Sequence, residues 1–294
     1  MEEKRKVVLM NSFNSYSNNT APLSDIKGFL LKKDMLSRLI LINVIVFLII
    51  NIYALFLFLF GLDQDFILAN GTNRITYYLS LPSSLSTLVW RPWSIITYMF
   101  VQEGILHLFF NMLVLYVGGN IFNRYIGQSK LLSVYVLSGI AGAFLYIFIF
   151  NIFPAFAQLV SVSYAIGASA SVLGIFVAAA AFMPNLMMNL MFIGNIRLKY
   201  IALIFVGLDI LNIRNGNAGG HIAHIGGALF GYLFIQQLRK NKDWSLWFNA
   251  YFNQISSWFT SFYKPKDPFT KVYRNPNESL STQEKQILFD ASNN

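Results

Sequence analysis

Three histidines occur in the chain, His107, His221 and His224, and each stands near the start of a long apolar run. Asn111 follows His107 by one helical turn. A further run opens on Gly167-Ala168-Ser169-Ala170-Ser171-Val172-Leu173-Gly174. Polar groups inside a membrane span are costly, so they are functional candidates. A serine hydroxyl is a weak nucleophile until a base takes its proton, and neutral imidazole has the right pKa range for that task. Acyl transfer would need Oγ and the imidazole within ~2.6–3.2 Å. Taken singly, each residue also has an ordinary structural reading. A transmembrane serine commonly bonds its own i−4 carbonyl, and small-residue faces are commonly packing. No metal cluster or phosphate loop is present, and no His is followed by Glu, which excludes a His-Glu-x-x-His zinc site. No metal and no cofactor are expected.

The elements that must carry these residues follow from composition. Of 294 residues 55% are hydrophobic and only 12% charged, against about 25% in soluble domains. Eleven charges fall in positions 1–38, thirteen in 239–294, and eleven in the 200 residues between. This excludes a soluble enzyme, a disordered chain and, with no cysteine, a disulfide scaffold. The cations flank apolar runs, which argues against nucleic-acid binding despite the net charge of +9. The spacing predicts an all-α polytopic membrane protein with six spans: Leu39–Phe60, Ile105–Phe122, Leu131–Phe153, about Tyr164–Phe182, the short Tyr200–Ile213, and His221–Leu238. With the N-terminus inside, nineteen cations lie on the inner side and three, Arg74, Arg91 and Arg214, outside. Both termini are therefore expected in the cytoplasm.

Three regions are expected. Residues 1–36 form a cytoplasmic lead without a signal peptide. Residues 37–238 form the membrane domain. Residues 239–294 form a cytoplasmic tail, with an amphipathic interfacial helix around Trp244–Phe262 and a short polar helix after Ser281. The loop 61–104 is rich in Tyr, Leu and Trp and is expected to be ordered at the outer interface.

Spans 2, 4 and 6 then run from outside to inside. His107, Ser169 and His224 are the third, sixth and fourth residues of their spans, so they share one layer near the outer surface. Gly227 and Gly231 form a small-xxx-small face that lets helices approach closely. Asp209 is expected to be hydrated or paired with Arg214, with no catalytic role.

The residues resemble the rhomboid intramembrane serine proteases. Trp90-Arg91 is similar to the family's loop-1 pair. His107-Leu-Phe-Phe-Asn111, with Gly118-Gly119, resembles its second-helix motif. Gly167-Ala-Ser169, with Gly174, resembles the Gly-x-Ser nucleophile motif. Ala223-His224-Ile-Gly-Gly227-Ala-Leu-Phe-Gly231 resembles the sixth-helix motif. The likeness runs from about Trp90 to Leu238. It implies a six-helix rhomboid-like bundle in the cell membrane whose active site opens outward. It implies Ser169 as nucleophile and His224 as general base in a dyad without a third acidic residue. It implies His107 and Asn111 at the oxyanion hole, and transmembrane proteins as substrates. Trp90, Arg91, Gly167, Gly174, Gly227 and Gly231 take structural places.

The chain departs from the pattern at Ala170, usually Gly, at Leu173, often aromatic, and at Asn123, often acidic. Register favours Ser169 over Ser171, and depth favours His224 over His221. Two other readings are a catalytically silent rhomboid-like protein that binds membrane clients, and a small transporter, for which the sequence offers no inverted repeat.

Overall fold

Apolar helices account for most of the computed structural model, which describes residues 34–62, 74–190 and 194–262 together with Gln286. Most of the expected lead and the expected polar helix after Ser281 lie outside the described residues. The helix α1 (Met35–Leu59) starts where the Asp34 carboxylate caps the Ser37 N–H at 2.8 Å. Three short helices follow, α2 (Arg74–Leu79), α3 (Leu85–Trp90) and α4 (Ser94–Thr97), with the strand β1 (Leu81–Pro82) between the first two. Then come α5 (Ile105–Tyr125), α6 (Leu131–Ile152), β2 (Tyr164–Ala165) and α7 (Ser169–Phe182). The antiparallel strands β3 (Met187–Leu190) and β4 (Gly194–Arg197) lead into α8 (Leu198–Asn212) and α9 (Ala218–Arg239). Last is α10 (Ser245–Phe262).

Four helical stretches are long and apolar enough to cross a membrane: Met35–Leu59, Ile105–Tyr125, Gln128–Ile152 and Ala218–Arg239. The other two expected spans are shorter. The first of them, α7, begins at Ser169 and not at Tyr164, because Tyr164 and Ala165 pair with Pro82 and Leu81. Its 14 residues, at ~1.5 Å each, cover about 21 Å. The second, α8, has 15 residues.

The bundle is built around α7. Every residue from Ala170 to Ala180 is buried, so this helix is enclosed by protein on all sides. It packs against α5, α6 and α9, and α9 also runs along α6. Small residues allow the approach. A Cβ on Gly227 would land on the Ala170 carbonyl, and one on Gly231 would land on the Gly174 carbonyl. One on Gly174 would strike the Ser138 hydroxyl.

The segment between α1 and α5 is pinned to the bundle where it is described. Arg91 is only 5% exposed; it donates to the Tyr77 carbonyl at 2.8 Å and lies 4.1 Å over the Tyr77 ring. Trp90, by contrast, is 81% exposed. Ser83 donates to the Val160 carbonyl, and Tyr98 donates to the Gly139 carbonyl at 2.6 Å. Considered alone, α10 exposes Trp247, Tyr251, Phe252, Ile255 and Trp258, and Leu246 beside them.

Candidate active site

Gly167 sets the geometry of the site. Its φ is +128°, and a Cβ there would lie 2.9 Å from the His107 ring and 3.2 Å from Ser169 Oγ. Glycine alone suits both demands. Its N–H donates to the Tyr98 carbonyl at 2.9 Å, which ties the turn before α7 to the outer loop. The turn delivers Ser169 as the first residue of α7. The Ser169 N–H therefore has no partner within the helix, and it stands at the positive end of the helix dipole.

Ser169 Oγ lies 2.6 Å from His224 Nε2. The imidazole comes from the second turn of α9, held against α7 by the glycine contacts above. Ser171 points elsewhere: it is buried, with its hydroxyl 3.8 Å from the Met99 sulfur. His107 accepts the Glu103 N–H at Nδ1, at 3.2 Å. Its neutral ring then carries the proton on Nε2, the edge close to Gly167.

Asn111 is held by a buried series of polar side chains. Its Nδ2 donates to Gln102 Oε1 at 2.8 Å, and Gln102 Nε2 donates to Asn43 Oδ1 at 3.0 Å. Asn43 Nδ2 donates to the Tyr135 hydroxyl at 3.1 Å, and that hydroxyl donates to the Met99 carbonyl at 3.0 Å. Each of these groups is buried and partnered, which offsets its desolvation. Asn111, Ser169, Leu173, Asp209 and His224 line one cleft of roughly 260 Å³, closed further by Val114, Val172, Phe205 and Leu208. Leu173, where the family often has an aromatic, is thus a wall of that cleft. Asn123 Oδ1 is buried with no hydrogen-bond partner among the described residues; this is the position where the family often has an acid.

Asp209 is paired differently from the sequence expectation. Its Oδ1 lies 2.8 Å from His224 Nδ1 and 2.8 Å from His221 Nδ1. Arg214 makes no ion pair with it among the described residues. The carboxylate is buried, and one of its oxygens stands within hydrogen-bond distance of both imidazoles. The three ligand-type atoms lie within 4.8 Å of one another, a spacing a metal ion could use. Two hydrogen bonds already join the three groups, and the same set of side chains suits a serine-hydrolase relay. Gln102, Asn43, Tyr135 and Asp209 join the site without being expected there from the sequence.

A family model of the rhomboid domain matches residues 89–241, more than half of the chain. The chain belongs to the rhomboid family. The matched stretch holds every site residue above except Asn43. The rhomboid protease AarA of Providencia stuartii is 30% identical over 142 residues, which are 43% of this chain and 49% of that protein. The chain therefore spans about half the length of the curated relative it matches. Membership and the four apolar helices together make this rhomboid a multi-pass membrane protein.

Proposed function

We propose that this rhomboid is an intramembrane serine endopeptidase that cleaves transmembrane segments of other membrane proteins. The observation that carries this reading is the 2.6 Å approach of Ser169 Oγ to His224 Nε2 in a cleft that also receives Asn111. His224 Nε2 takes the hydroxyl proton as Oγ attacks the scissile carbonyl carbon. The carbonyl oxygen becomes an oxyanion within reach of the Ser169 N–H, His107 Nε2–H and Asn111 Nδ2–H. The imidazolium returns the proton to the leaving amine. Water then releases the acyl group by the same steps with His224 again as base. Oxyanion donors of this kind contribute ~2.7–4 kcal/mol each.

The finer placement belongs to the same proposal. Six helices lie in the cell membrane, α7 and α8 completing the four long ones, and both termini are cytoplasmic. The partners are transmembrane substrates and the lipid bilayer, with no cofactor and no nucleic acid. The reading as a silent client-binder is not favoured, since Ser169 and His224 are both retained and in contact.

The test is cleavage of a single-span model substrate in proteoliposomes. Ser169→Ala and His224→Ala abolish cleavage while the protein stays folded, and Ser171→Ala retains it. Full activity in Ser169→Ala overturns the reading. Failure of a serine-reactive fluorophosphonate to label wild-type Ser169 shifts it to the silent binder.

A further inference from the structure

We propose that Asp209 is a positioning residue for His224: its carboxylate accepts the Nδ1 proton, so that Nε2 faces Ser169 as the unprotonated base, and the dyad works as a buttressed triad. This rests on the serine-protease reading of the site and deepens it.

The geometry has three parts. Ser169 Oγ, His224 and Asp209 Oδ1 stand in series, with contacts of 2.6 and 2.8 Å on opposite nitrogens of one ring. A neutral imidazole carries one proton, so a bond to a carboxylate at Nδ1 selects the tautomer whose Nε2 accepts. Asp209 is itself oriented. His221, one helical turn before His224, donates to the same oxygen at 2.8 Å. The carboxylate is thereby held between two rings of α9 from its own helix, α8, and it is buried beside the cleft. When Oγ attacks, the proton moves to Nε2 and the ring becomes an imidazolium beside an anion. The charge that develops is then neutralised locally, in a site of low dielectric where such pairing is strong. The ring position that an aromatic neighbour steadies in other family members falls to Leu173 here. The carboxylate supplies orientation from the other side.

The decisive measurement is the imidazole tautomer. We would record 15N spectra of full-length, 15N-histidine-labelled protein in micelles, with His107→Asn and His221→Asn assigning the signals. The expected result is a His224 ring protonated at Nδ1 in the wild type. In Asp209→Ala that preference is lost, kcat falls by ~10 to ~10³-fold, less than the ~10⁴-fold of a soluble triad, and KM changes little. Asp209→Asn, which keeps the shape and removes the charge, is the second variant. It should fold if Asp209→Ala does not, and it should also lose kcat. A wild-type His224 protonated at Nε2, or wild-type kcat in both Asp209 variants, overturns the inference. These outcomes are separable from failure of the protease reading. That failure is cleavage persisting in Ser169→Ala, whereas the tautomer is read on the resting protein.

Discussion

His107 and Asn111 stand one turn apart on α5, and the two differ in how they are held. The His107 ring has a single backbone donor at Nδ1, whereas Asn111 ends a chain of four partnered side chains. Replacing either by Ala removes a donor, so each should lower kcat by ~10²–10³-fold with KM nearly unchanged; Asn111→Ala also strips the buried Gln102 oxygen of its donor and should cost about 1–3 kcal/mol of stability. Steady-state cleavage with a melting curve for each variant checks this. Gly167→Ala should be worse on both counts. The added methyl meets the His107 ring in a backbone region costly to L-residues, so stability drops by about 1–3 kcal/mol and cleavage is lost. At this scale much of the site was legible. Ser169, His224, His107 and Asn111 are rare polar residues at the openings of apolar runs, and depth alone groups them. Asp209 escapes that grouping because Arg214, five residues on, offers it an ordinary cation partner in the sequence. The end of one antiparallel helix lies level with the start of the next. Asp209 near the end of α8 and His221 and His224 near the start of α9 obey the same rule.

Between elements, backbone approach decides the outcome. Because the Gly231 position abuts the Gly174 carbonyl, Gly231→Val must push α9 away from α7. We expect a loss of about 1–3 kcal/mol. Fluorophosphonate labelling of Ser169 should also be lost, although no reactive group is altered; labelling at the wild-type rate contradicts this. A second tie lies at the other end of α9. Lys130, before α6, pairs with Asp243 at 3.2 Å. Partial burial works against the Asp243 carboxylate, but hydrogen bonds from Ser245 and the Lys130 ammonium outweigh it and hold its pKa below the ordinary value. A lowered carboxylate pKa stabilises the fold above the unfolded value, and that stabilisation disappears as pH falls through the folded one. Melting temperature against pH should therefore show wild type above Asp243→Asn at neutral pH and the two converging in acid. Element limits were less legible than element identity. The start of α7 at Ser169 depends on pairing between Tyr164–Ala165 and Leu81–Pro82, a contact too distant in sequence for local hydropathy to register.

For the molecule as a whole, composition alone was enough for the membrane class, since so few charges fall between positions 38 and 239. Orientation is a further claim and has a clean test. The chain contains no cysteine, so a single introduced thiol reports without background. Asn215 is exposed in the loop before α9, and Gln128 is exposed in the short 3-10 turn that opens the α6 stretch. A membrane-impermeant maleimide should label Asn215→Cys in intact cells and Gln128→Cys only after permeabilisation. The reverse pattern would invert the topology.

The carboxamide series has a direction. Tyr135 spends its single proton on the Met99 carbonyl, so it can only receive from Asn43. Asn43 must then offer its oxygen to Gln102, and Gln102 must offer its oxygen to Asn111. The handedness of every amide is dictated from the end remote from the cleft, like a row of switches thrown by the last one. The far end of the row is in fact latched twice, because Asn43 Nδ2 also donates to the Leu39 carbonyl at 2.9 Å. A backbone carbonyl cannot donate back, so Tyr135→Phe removes one latch and leaves the other, and Asn111 keeps its Nδ2 on Gln102. Two helices that contribute no reacting atom, α1 and α6, thereby fix how a cleft residue is turned.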